Sequence, residues 1–162
     1  MTRPTAEHAR AFATNVAKTS KCLEALVAAL GEEQRALSQH EPYSLDAVLP
    51  RKQQVLAELE PLLKARNHLQ QALGLAAGIP GGDALLAHLP EDSPPAKAWA
   101  RLRDLATQVE RLNNQNGHLV RQGQQTTQQA LGILTGRKNE PGLYGRGGQG
   151  KGRLASLTFG KV

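Results

Sequence analysis

The side chains of this sequence that could do chemistry are a single cysteine and five histidines. They are Cys22, His8, His40, His68, His88 and His118. No two of these histidines are four residues apart, and none stands near the cysteine at the spacing that a zinc site needs. The G-x-S-x-G, H-E-x-x-H and C-x-x-C motifs of hydrolases, metalloproteases and redox proteins do not occur either. We therefore predict a protein that is not an enzyme, holds no metal ion or cofactor and has no small-molecule substrate.

One stretch, GRGGQGKG from Gly145 to Gly152, matches the G-x-x-x-x-G-K part of a phosphate-binding loop. Gly152 stands where such a loop has the Ser or Thr whose hydroxyl holds magnesium. A phosphate loop also needs a strand before it and a helix after it, and only ten residues remain here. The match therefore reflects a glycine-rich composition and does not indicate a nucleotide site.

The basic charge of the chain is concentrated near its C-terminus. Six of the 20 basic residues and one of the 14 acidic residues lie between Arg137 and Val162, which leaves 14 basic and 13 acidic residues before them. We predict a helical domain over residues 1–136 and a flexible, basic, glycine-rich tail over residues 137–162. Such a tail could contact phosphate backbones, so a nucleic-acid-binding protein is one alternative function. We expect that binding to be weak and lost near physiological salt.

The first residues, MTRPTAEHARAF, lack the apolar segment of a signal peptide, and no run of 18 apolar residues suggests a membrane span. Cys22 has no second cysteine with which to form an intrachain disulfide, which is typical of a reducing compartment. We predict a cytoplasmic protein in which Cys22 lies at the edge of a core.

The low aromatic content, 3% of residues, and the lack of alternating β-branched runs predict an all-α protein. Apolar residues spaced alternately by four and three predict an elongated antiparallel bundle of three long helices. We expect these helices to run from about Thr5 to His40, from a Ser44 cap through Leu73, and from Pro94 to Leu134 or Thr135. In the first helix the predicted packing positions are Phe12, Val16, Thr19, Leu23, Leu26, Leu30, Glu33 and Leu37. In the second helix the predicted buried positions are Leu45, Leu49, Lys52, Leu56, Leu59, Leu63 and Leu73.

Prolines and glycines interrupt this pattern in two places. Pro61 lies inside the second helix, where we predict a kink or a break. The stretch from Ala76 to Pro95 is rich in helix breakers and predicts one short helix in the middle connection, capped by Asp83.

The last long helix carries an unusual surface in LNNQNGHLVRQGQQTTQQALGIL, from Leu112 to Leu134. Its apolar residues keep a helical spacing, but Arg121 is the only charged residue between Arg111 and Arg137. A helix that is satisfied within its own chain usually carries charged residues opposite its apolar stripe. We predict that this helix is a docking face for another chain. The alternative is a polar helix that is merely rich in glutamine.

Three segments in this part of the chain resemble the C-terminal half of the FlgN-type flagellar export chaperones. They are LNNQNGHLV (residues 112–120), QALGILTG (residues 129–136) and LYGRGG (residues 143–148). That family has an L-N-x-x-N-G-x-L/I segment, an A-L-x-x-L helix end and a Y-G-x-x-G tail motif in the same order. The two-helix leader, the breaker-rich middle and the long last helix also fit its architecture.

The resemblance implies a chaperone that binds the C-terminal helices of the hook–filament junction proteins. Such a chaperone prevents premature assembly and delivers its clients to the flagellar export gate, so its contact with the membrane is indirect. We expect the client in a groove formed by Val109, Leu112, Asn113, Asn116, Leu119, Val120, Gly123, Leu131 and Leu134.

The family also presents a tail tyrosine to the cytosolic domain of the export gate, and Tyr144 occupies that position. The resemblance therefore implies gate docking through Leu143, Tyr144 and Gly145. The chain departs from the family at Arg146-Gly147, where an acidic residue is common, and this leaves the strength of gate docking open. A purely structural coiled-coil adaptor is the remaining alternative function.

Overall fold

The computed structural model describes residues 4–135, and these fold into four α-helices without a strand among them. The helices are α1 (Ala6–Gln39), α2 (Pro42–Ala72), α3 (Ile79–Leu86) and α4 (Pro94–Thr135). The predicted all-α class, the three long helices and the short helix in the middle connection are confirmed. The predicted tail, residues 137–162, lies outside the described residues and stays a prediction.

Both ends of α1 have local causes. The Thr5 side chain accepts a hydrogen bond from His8 N–H, and the His8 ring accepts one from Thr5 N–H, which forms a capping box. At the other end His40 adopts a left-handed conformation with φ of 55°, and its N–H donates to Ala36 O. The sequence placed both ends within one residue of their observed positions.

α1 and α2 pack as an antiparallel hairpin. Asn15 Nδ2 donates to Leu62 O over 2.8 Å near one end of the pair. Near the turn, Arg51 forms an ion pair with Glu32 over 2.9 Å. Residue numbers therefore rise in α1 while they fall in α2.

α4 returns parallel to α1. Arg101 pairs with Glu24 over 2.6 Å, and further along both helices Gln34 Nε2 donates to Gln115 Oε1 over 3.1 Å. Within the described residues no Cα of α2 lies within 8 Å of a Cα of α4, so α1 is the helix against which both others pack. This arrangement matches the predicted bundle, in which successive long helices are antiparallel.

Trp99 fills the end of the core that is closed by α3. Its ring lies 5.5 Å from the Phe12 ring, and the Arg66 guanidinium of α2 stacks 5.4 Å from its centroid. Trp99 Nε1 donates to Asp83 Oδ1 over 2.8 Å. Gly82 packs directly on the ring, so that a Cβ there would meet Trp99 Cζ2. This one aromatic residue therefore joins all four helices, and the spacing analysis had not singled it out.

Arg66 is a buried cation. Its Nε and Nη1 atoms make no hydrogen bond to any residue between 4 and 135, and burial lowers the pKa of its guanidinium. The contact with the Trp99 ring replaces part of the lost hydration. A buried guanidinium that is not paired with a carboxylate costs stability, and the contact with the Trp99 ring offsets only part of that cost.

Two predicted helix caps are wrong. The second helix begins at Pro42 with Glu41 as its N-cap, because proline is favoured at the first helical position. Ser44 lies inside the first turn, where its hydroxyl donates to Glu41 Oε2 over 2.9 Å. The short helix likewise starts at Ile79, before Asp83, whose carboxylate is used by Trp99.

α2 is continuous through Pro50 and Pro61. Of the kink or break predicted at Pro61, the break therefore does not occur, and the kink stays a prediction. Its buried face also differs from the predicted one. The buried residues are Val48, Val55, Leu59, Arg66, Gln70 and Leu73, and the half-buried ones include Lys52, Leu56 and Leu63. Leu49, a predicted core position, is 40% exposed.

Candidate functional site

α4 is longer than the helix against which it packs. Gln34 of α1 lies opposite Gln115 of α4. Five residues further along these parallel helices, Gln39, the last residue of α1, comes level with Val120. We call the remainder of α4, Val120–Thr135, the overhang. At about 1.5 Å per residue it is about 24 Å long. From residue 120 to residue 134, every position whose exposure is described is exposed.

The nine predicted client-binding residues divide at this boundary. Two of them, Val109 and Asn116, are buried in the bundle. Three are half-buried: Leu112, Asn113 and Leu119. The other four are exposed: Val120, Gly123, Leu131 and Leu134. The buried pair lies within the bundle, so it is the exposed members that present accessible surface in this structure.

Asn116 marks the end of the buried part of α4. Its Nδ2 donates to Leu30 O over 2.9 Å and to Glu33 Oε2 over 2.8 Å. The other oxygen of Glu33 accepts from Lys52 Nζ over 2.8 Å. One buried polar network thus joins α1, α2 and α4. Because it satisfies a buried carboxylate, it also fixes the register at which α4 passes the end of α1.

The buried seam of α4 continues without a change of direction into the overhang. Leu134 follows Asn116 by five turns of about 3.6 residues, so both lie on one line along the helix. The same spacing places further residues close to this line. We call the resulting set the exposed strip: Val120, Gly123, Thr127, Leu131 and Leu134.

The polar members of the exposed strip do not prevent close packing. The Thr127 hydroxyl donates to Gly123 O over 3.0 Å, so its hydrogen bond is made within the helix. A Cβ added at Gly123 would meet nothing within 4 Å. The strip therefore combines apolar side chains at its ends with a shallow, uncharged middle.

Exposed apolar side chains gather at this end of the molecule. Among the described residues, seven large hydrophobic side chains are exposed, and four of them lie in the overhang: Val120, Leu131, Ile133 and Leu134. Two others, Tyr43 at 88% exposure and Leu49, lie in α2 near the α1–α2 turn. Clustered exposed apolar groups commonly mark interaction sites. Tyr43 is not among the residues predicted from the sequence, where its place beside Pro42 at a helix start is its only signal.

Potential metal ligands and the single cysteine are the side chains of this sequence that could do chemistry. No group of three or more His, Cys, Asp or Glu residues between 4 and 135 is arranged to hold a metal ion. Cys22 is half-buried, as predicted. Burial raises the pKa of its thiol, and the carboxylate of Glu58 adds to that shift. No described helix is both long enough and apolar enough to span a membrane.

The residues predicted for gate docking, Leu143, Tyr144 and Gly145, lie outside the described residues. Their role stays a prediction.

The sequence matches the protein family described as FlgN protein over residues 1–152. It is also similar to the flagella synthesis protein FlgN of Yersinia enterocolitica, with 29% identity over 151 residues that cover 92% of this chain and 94% of the relative. The protein of the same name from Yersinia enterocolitica serotype O:8 / biotype 1B, strain NCTC 13174 / 8081, matches with the same identity and coverage. No solved structure matches the chain.

Proposed function

Because this chain belongs to the FlgN family, a family of flagellar synthesis chaperones and not of enzymes, we propose that it is a cytoplasmic export chaperone for hook–filament junction proteins. It binds the C-terminal helices of these clients, keeps them from assembling prematurely and delivers them to the flagellar export gate.

The observation that carries the client-binding part is the exposed strip. It prolongs a seam that is buried against a helix in the bundle, so its geometry suits a second helix laid along the overhang. Burying a fully exposed Val or Leu side chain contributes about 1.5–3 kcal/mol before the cost of association is subtracted. Leu134, at 81% exposure, comes near that value, whereas Val120 at 43% and Leu131 at 54% contribute less. The strip is uncharged, and this favours an amphipathic helix over nucleic acid as its partner.

The test compares two neighbouring residues of the overhang. Leu134 and Ile133 have similar volumes and exposures of 81% and 83%, but Ile133 lies about 100° away from the line of the strip. Leu134→Asp is expected to weaken binding of a synthetic client C-terminal peptide about a hundredfold, because a carboxylate would be buried without a partner.

The matched variant Ile133→Asp is expected to bind the peptide like the unchanged protein. Isothermal titration calorimetry measures both affinities. Equal effects of the two substitutions would show that the peptide does not lie on the strip.

Gate docking is tested separately through Tyr144. An aromatic anchor at an interface is typically worth about 2 kcal/mol, or roughly thirtyfold in affinity. Tyr144→Ala should therefore weaken binding to the cytosolic domain of the export gate by that factor and leave peptide binding unchanged. Unchanged gate binding would remove Tyr144 from the proposed role.

A further inference from the structure

We infer that a helix bound on the overhang takes up the line of α1, with its N-terminal end against the α1–α2 turn and in contact with Tyr43. This inference rests on the proposed function. It adds the position and direction of the bound helix and a second contact site that lies outside α4.

The position follows from the continuity of the α4 seam. From Val109 to Asn116 this seam is buried in the bundle, where Asn116 contacts α1, and from Val120 to Leu134 the positions of the same seam whose exposure is described are exposed. A helix that covers the exposed strip as α1 covers the buried part must lie roughly where α1 would lie if it were longer. Its length is set by the overhang, about 24 Å, which corresponds to about 16 residues.

The end of that helix must meet the α1–α2 turn. Arg51 of α2 pairs with Glu32 of α1, so these two residues are level in the antiparallel hairpin. Tyr43 lies eight residues before Arg51, and His40 lies eight residues after Glu32, so Tyr43 is level with His40. Tyr43 thus lies at the height where the overhang begins. Tyr43 is 88% exposed and lies outside the described core, so its aromatic side chain offers a large surface to a partner.

The direction follows from charge. The C-terminal end of a helix carries partial negative charge, and the last turn of α1 contains no basic residue to offset it. The N-terminal end of α2 lies at the same turn, but its N-cap Glu41 places a carboxylate there. The turn therefore presents negative charge to a neighbour. The N-terminus of a helix, with its partial positive charge, fits this turn better than a C-terminus does.

The occupant is therefore an amphipathic helix of a client that runs parallel to α4. In this arrangement the exposed strip supplies most of the contact area, whereas Tyr43 and the turn contact the first residues of the client helix. Acidic residues in the first turn of the client helix would weaken the contact, because they would face Glu41.

The experiment uses the full chain with Cys22→Ala and Ala47→Cys, so that a donor dye can be attached near the turn alone at an exposed position that leaves Glu41 in place. Synthetic client C-terminal peptides carry an acceptor dye at either their N-terminus or their C-terminus. The N-terminally labelled peptide is expected to give the higher transfer efficiency. A higher efficiency from the C-terminal label would overturn the direction.

The Tyr43 contact is measured in the otherwise unchanged chain. Tyr43→Ala is expected to weaken peptide binding about tenfold with no change in melting temperature. Leu89→Ala provides the control, because Leu89 is 42% exposed but lies near the opposite end of the bundle. Equal affinities for the Tyr43 and Leu89 variants would overturn the contact.

These outcomes separate the inference from the proposed function. If the unchanged protein does not bind the peptide, the proposed function fails. If it binds and Leu134→Asp abolishes the binding, the function stands. The inference then fails on its own when Tyr43→Ala has no effect or the transfer efficiencies are reversed.

Discussion

At the scale of single residues, we expect the polar side chain of Asn116 to contribute to the stability of the fold. It is buried and donates to a backbone carbonyl and to the Glu33 carboxylate. Hydrogen bonds to charged groups contribute about 1.5–3 kcal/mol, and their loss would leave the buried carboxylate less satisfied. We expect Asn116→Ala to lower the free energy of unfolding in urea by about 2 kcal/mol. Asn114→Ala, at an exposed position of the same helix, should change it by no more than about 0.5 kcal/mol. Similar losses in both variants would contradict a role for the network.

Cys22 gives a residue-scale prediction that depends on pH. Burial raises the pKa of its thiol, and the nearby Glu58 carboxylate raises it further because it repels the thiolate. The reactive thiolate therefore appears at higher pH in the folded chain than in the unfolded chain. We expect the rate of iodoacetamide labelling to rise at higher pH in the native protein than in urea. Glu58→Gln should move the native profile towards lower pH, and an unmoved profile would rule out the charge contribution.

At the scale of elements, the short helix α3 can pack closely on Trp99 of α4 because Gly82 has no side chain. A Cβ at Gly82 would collide with Trp99 Cζ2, and overpacking of this kind costs about 1–3 kcal/mol. Gly82→Ala should therefore destabilise the protein and alter the fluorescence of Trp99, the only tryptophan. Gly117→Ala is the control, since a Cβ there would lie no closer than 3.6 Å to Arg121 Nη1. It should stabilise the helix by about 0.5–1 kcal/mol. An unchanged fluorescence spectrum in Gly82→Ala would show that α3 does not hold the ring.

The helices differ in how far their sequences predict their packing. α1 has one apolar face and strong end signals, so its bounds and its buried positions Phe12, Val16, Leu23 and Leu30 follow from spacing. α2 has apolar residues on several sides, so spacing alone chose Leu49 where the structure buries Val48. Which face is buried there depends on α1, and a single helix does not carry that information.

The overhang shows the same limit at the candidate site. The four-three spacing of α4 runs unchanged from Leu102 to Ile133, so the sequence predicts one continuous face. The point at which burial stops depends on where α1 ends relative to α4. That register is fixed by tertiary contacts such as Gln34 with Gln115. For this reason buried and exposed residues were predicted together as one client-binding groove.

At the scale of the whole molecule, the described residues form a helical bundle and the overhang of α4 that extends from it. The same chemical change should therefore have opposite consequences in the two parts of α4. Val109→Asp places a carboxylate in the core, where Val109 is 6% exposed, and should cost more than about 3 kcal/mol. Leu134→Asp lies on the overhang at 81% exposure and should leave the melting temperature within about 2 °C of the original. Thermal unfolding followed by circular dichroism at 222 nm measures both. A large loss of stability in Leu134→Asp would mean that the overhang packs against other parts of the free protein. The exposed strip would then have to be uncovered before a client could bind.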